Sequence, residues 1–94
     1  MSEMFYNIRI CPETLEQCQR MLKDQEDLLE RYEAQRRITY REREEAFKSQ
    51  NMDDIKEMWQ RMIMLDNAII PVMGDIFTLQ RLEAQFRAQQ RQNE

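Results

Sequence analysis

The chain is defined first by what it lacks: one Gly, two Pro, two Cys and no His in 94 residues. With a single Gly, phosphate-cradling loops, tight β-hairpins and all-β sandwiches are excluded, because each depends on backbone conformations that Gly supplies. Without His there is no side chain that titrates near neutral pH to act as a general base, no Cys–His pair and no Glu-x-x-His motif for a metal in a helical bundle. No serine is flanked by the glycines of a nucleophile elbow. The sequence therefore predicts no catalytic residue, no cofactor site and no metal site, and points away from an enzyme.

Two cysteines are too few for a disulfide scaffold. If Cys11 and Cys18 share a helix they stand about 10.5 Å apart, beyond disulfide reach. Reduced thiols and a cytoplasmic-type compartment are the expectation. The first residues, Met-Ser-Glu-Met, show no basic segment followed by an apolar run, so no secretory signal is expected. The most apolar stretch, residues 62–79, holds Asp66, Asn67, Pro71, Gly74 and Asp75. Spanning a bilayer would place two carboxylates in lipid, at about 2.5–3.5 kcal/mol each, so no membrane insertion is expected.

Present in quantity are charge and methionine. Charged residues are 34% and mean hydropathy is -0.87, yet hydrophobic residues hold at 41%, enough to build a folded chain. The net charge of -4 is unevenly spread: residues 1–34 carry four basic and eight acidic groups, residues 35–50 five and three, residues 51–94 five and seven. An acidic molecule is repelled by phosphate backbones and anionic membranes.

Residues 5–11 alternate, with Tyr6, Ile8 and Ile10 on one side, and read as a short extended arm over residues 1–11. Pro12 suits the first position of a helix, with Glu13 and Glu16 at its positive dipole end. Nothing interrupts that helix from 12 to 49. Leu15, Cys18, Leu22, Leu29 and Tyr32 form its apolar stripe, widened by Met21 and Leu28 and continued by Tyr40 and Phe47 as a straight helix drifts off strict heptads. The polar stretch 49–54 marks a turn at 50–52, with Asn51 as N-cap and Asp53 and Asp54 in the next turn.

A second helix is expected over 53–90, with residues 92–94 frayed. Ile55, Met62, Ile69 and Ile76 make one heptad row, Met58, Leu65, Val72, Leu79 and Phe86 the other, and Glu83 is the break. Because this phase passes Pro71 unshifted, a helix kinked but continuous at Pro71 is favoured over one broken there, with Gly74 easing the bend. A reversal near 50–51 pairs positions whose numbers sum to about 101, so that Leu15 meets Phe86, Leu22 meets Leu79, Tyr32 meets Ile69 and Ala46 meets Ile55. The same register sets Arg36 against Leu65 and Arg43 against Met58, where the arginine stems would cover the apolar partner.

The fold predicted is thus all-α: a long antiparallel helical hairpin with a short extended N-terminal arm, completed to a bundle by dimerisation or by a partner. A partner is expected because the second helix carries flanking rows, Trp59 and Met73, and Ile63, Ile70 and Phe77, that one neighbouring helix does not cover. Trp59, Met62, Ile63, Ile70, Met73 and Phe77 are the candidate protein interface, and the methionines at 52, 58, 62, 64 and 73 suit either core filling or an adaptable surface. The function expected is a non-enzymatic protein–protein interaction module: an adaptor, a chaperone-like assembly factor or an inhibitor. The alternative is a nucleic-acid-associated regulator using Arg36, Arg37, Tyr40, Arg41 and Arg43, which could contact phosphates or clamp an acidic protein. Interleaved Glu42, Glu44 and Glu45 and the acidic whole make nucleic acid the less expected partner.

Overall fold

A computed structural model describes residues 11–93; the extended arm expected over residues 1–11 falls almost wholly outside them. The described chain is two helices, α1 (Leu15–Ser49) and α2 (Met52–Asn93), packed against each other as an antiparallel hairpin. It measures 64 × 28 × 14 Å with a radius of gyration of 18.6 Å. A compact domain of this length would have a radius near 12 Å, so the molecule is a flat rod, one helix thick.

α1 begins at Leu15, three residues later than Pro12 suggests. Thr14 is the N-cap, extended at φ -131° and ψ 159°, and its Oγ1 accepts from the Gln17 N–H at 3.1 Å. The Gln17 Oε1 reaches back to accept from the Glu13 N–H at 2.9 Å. This reciprocal Thr-x-x-Gln arrangement satisfies two donors at once, an advantage that a proline at the first helical position does not offer. At its other end α1 closes with Gln50 in the left-handed region (φ 58°, ψ 31°). The Asn51 N–H donates to the Ala46 carbonyl and the Gln50 N–H to the Phe47 carbonyl, both at 3.2 Å. This is the Schellman pattern, built here without glycine. Asn51 then caps α2, its side-chain oxygen accepting from the Asp54 N–H at 3.2 Å, as the sequence predicts. The chain reverses in two residues.

α2 runs without interruption through Pro71 and on to Asn93, past the expected end near residue 90. Of the two alternatives at Pro71 the chain takes continuity. Gly74 lies in the helix with open space where a Cβ would be. Gly74→Ala is therefore expected to stabilise the hairpin by about 0.5–1 kcal/mol, since it lowers the entropy of the unfolded chain without a clash. A urea melt monitored by circular dichroism reads this directly.

The buried hydrophobic residues are Cys18 and Ala46 from α1 and Ile55, Met58, Met62, Ile69, Val72 and Leu79 from α2. The α2 heptad is thus the core row predicted. The α1 row is corrected past Tyr32: Tyr40 and Phe47 are exposed, while Thr39 and Ala46, one position earlier, are buried. The inward positions of α1 keep strict heptad spacing through Arg36, Thr39, Arg43 and Ala46, because two helices that supercoil hold the 3.5-residue phase at the seam whatever residue falls there.

The expected register stands to within about one helical turn. Arg36 bonds to Asp66, Arg43 lies over Trp59 and Glu42 faces Arg61. Near the open end Cys18 and Leu79, both fully buried, pack together, with Met21, Leu22, Leu82 and Phe86 around them. The Cys18 thiol donates to the Leu79 carbonyl at 3.3 Å. Burial pushes this thiol above its ordinary value of 9.0, and the nearby Glu83 carboxylate adds to the rise. A raised folded-state value means the unfolded chain loses this proton first as pH rises. The stabilisation is complete below about pH 9 and declines above it. Melting temperature is expected to fall as pH rises through 9 and beyond, and to fall less in Cys18→Ala. In a Cys11→Ser background, Cys18 is expected to react with a thiol reagent only as fast as the hairpin opens.

Candidate functional site: an apolar and arginine-flanked face

Being one helix thick, the hairpin has two broad faces, and among the described residues neither is covered by a further layer. The candidate interface residues of α2 fall mostly on one flank. Trp59 (51% exposed), Ile63 (52%), Ile70 (66%), Met73 (46%) and Phe77 (66%) follow one another at spacings of three, four or seven residues along the helix. That periodicity places them on a single stripe. Met62 is corrected: it is buried in the seam against α1. Its place on the predicted core row outweighs its place beside Ile63, since α1 lies directly over that row.

The arginine cluster sits beside the same stripe. Arg43 is half-buried, with its guanidinium carbon 4.5 Å from the Tyr40 ring centroid and 5.6 Å from that of Trp59. It links α1 to the upper end of the stripe through stacking and cation–π attraction. Its Nε is buried without a hydrogen-bond partner. Arg36 holds Asp66 at 3.3 Å, which draws an acidic residue within the stripe toward α1. Beside Arg36 a shallow groove is lined by Glu33, Arg37 and Tyr40 of α1 and Met62 of α2. The two surfaces that the sequence separates, apolar on α2 and basic on α1, are thus joined in space around Arg43. Sequence reasoning sets Arg43 over Met58; the signal for Trp59 instead is its place one residue further along the same register.

The opposite flank is different in character. Arg61 binds Glu57 at 2.8 Å and Glu42 at 3.8 Å, and beside them Ile38 and Met64 border an open groove. Arg41 and Arg37 are exposed on α1. Among the described residues no group of three or more His, Cys, Asp or Glu is placed to hold a metal ion. α2 is long and apolar enough to cross a membrane by length and composition, a test that the core helix of a soluble protein also passes. The chain matches no protein-family model, and no curated protein or solved structure is significantly similar to it.

Proposed function

We propose that the protein is a non-enzymatic protein–protein interaction module, a small helical adaptor, assembly factor or inhibitor, acting through the apolar face of α2 between residues 59 and 79. One observation carries this reading. Among the described residues ten large hydrophobic side chains are about half exposed or more, against eight hydrophobic residues buried. Five of the ten form the continuous stripe from Trp59 to Phe77. A soluble monomer rarely leaves so large a share of its apolar side chains in water, and the stable solution for a helical layer is a second layer. The nucleic-acid alternative draws less support: Arg36 is engaged with Asp66 and Arg43 with two rings, which leaves Arg37 and Arg41 as the more available cations of an acidic molecule.

Ile70→Asp and Phe77→Asp test the reading. Both positions are 66% exposed, so helix content by circular dichroism is expected to persist. The assembly recovered with the wild-type chain, by light scattering or by pull-down from its native host, is expected to be lost. Assemblies unchanged by either substitution would place the interaction elsewhere.

A further inference from the structure

Resting on that interaction reading, we infer that the occupant of the stripe is a second copy of this chain, packed antiparallel with a two-fold axis beside Asn67 and Ala68. α2 carries two heptad seams. One, through Met58, Met62, Leu65, Ile69, Val72 and Leu79, is used within the hairpin. The other, one residue further on, comprises Trp59, Ile63, Asp66, Ile70, Met73 and Phe77, at spacings of 4, 3, 4, 3 and 4. That sequence of spacings reads the same from both ends, as an antiparallel pairing of identical helices requires. Trp59 then meets Phe77 of the second copy, Ile63 meets Met73, and Ile70 meets Asp66, whose carboxylate is already held by Arg36.

Charge supplies the independent argument. The row bordering this seam on the side away from α1 is Asp53, Gln60, Asn67, Gly74 and Arg81, all exposed. About the same axis Asp53 lies opposite Arg81 of the second copy, Gln60 opposite Gly74, and Asn67 opposite itself. Neither Asp53 nor Arg81 makes an ion pair within the described residues of the hairpin. A parallel pairing would set Asp53 on Asp53 and Arg81 on Arg81. The first helices agree: the antiparallel register puts the basic segment 36–43 level with residues 23–30 of the second copy, where Asp24, Glu26, Asp27 and Glu30 lie. Like charges would stand level in the parallel alternative. The helices overlap from residue 52 to 84, about 50 Å. At one and a half to two helix diameters in width, the contact covers on the order of 800 Å² per protomer, the size of a stable specific interface.

Sedimentation equilibrium of the full chain is expected to give twice the 11.6 kDa chain mass. Asp53→Arg and Arg81→Asp are each expected to weaken the dimer about tenfold, and the double variant to restore it to within about twofold. In a Cys11→Ser background, a Gln60→Cys chain mixed with a Gly74→Cys chain is expected to form a disulfide-linked pair, while neither links to itself. Self-linking of each instead would show a parallel pairing and overturn the inference, as would a double charge variant no tighter than the single ones. A wild-type chain that stays monomeric at about 100 µM also overturns it. If that monomer co-sediments with phosphatidylcholine–phosphatidylglycerol vesicles, the occupant is a bilayer. If it instead retains a host protein that Ile70→Asp releases, the occupant is that protein and only the self-pairing fails. Loss of all three behaviours would remove the interaction reading as well.

Discussion

Leu79→Ala is expected to cost about 2–5 kcal/mol, a large part of the stability available to a hairpin of this size. Leu79 is fully buried and packs with Cys18, the other fully buried side chain among the described residues. Removing its branched end leaves a void lined by Met21, Leu22, Leu82 and Phe86. These are partly buried side chains carried on two helices whose hydrogen-bonded backbones do not close in on a single missing side chain, so they fill only part of the gap. The thiol bond of Cys18 goes to the backbone carbonyl of Leu79 and survives the substitution, which isolates the packing loss. A urea titration against Met64→Ala, at a site 70% exposed and outside the Trp59–Phe77 stripe, provides the contrast. Within a monomer the latter is expected to be nearly neutral. Equal effects at the two sites would mean that Leu79 does not anchor the hairpin.

Pro71→Ala is expected to act in the opposite direction, stabilising α2 by about 2 kcal/mol. Proline in a helix interior removes one backbone hydrogen bond and sets its ring against the carbonyl four residues earlier, here that of Asn67, at a cost of about 3 kcal/mol. Its stiffness in the unfolded chain returns about 0.4–1 kcal/mol, so the net gain is smaller than the helical penalty. For a chain of this length the melting temperature would rise by roughly 8–16 °C. An unchanged or lower value would show that the geometry imposed at Pro71 is one that packing of Ile69 and Val72 on α1 requires.

Much of this was legible in the residues. Asn51 is a strong cap, and with Gln50 before it and two aspartates after it the reversal could be placed before any contact was known. The α2 core row was legible because apolar residues occupy nearly every heptad position from Ile55 to Leu79. The far half of the α1 row was not. Arg36, Thr39 and Arg43 occupy its inward positions, and hydrophobicity alone favours Tyr40 and Phe47 next to them. Thr39 is tolerated inside because its hydroxyl donates to the Gln35 carbonyl at 2.9 Å, and Arg43 because two rings accept its cation. Neither compensation is visible without the neighbours. The start of α1 was misplaced for a similar reason, since Pro12 is the more familiar signal while the mutual bonds of Glu13, Thr14 and Gln17 decide the boundary.

The scarcity of Gly, the heptads and the caps by themselves determined two long helices, their reversal and their register to within a turn, because each follows from local spacing and residue chemistry. Only the tertiary structure decided which apolar residues α1 covers. It buried Met62, left Trp59, Ile63, Ile70, Met73 and Phe77 in the open, and brought Arg43 between Tyr40 and Trp59. The physical reason is that a helix as apolar as α2 offers more than one seam, and the choice between them depends on where the partner helix lies, which no local pattern encodes.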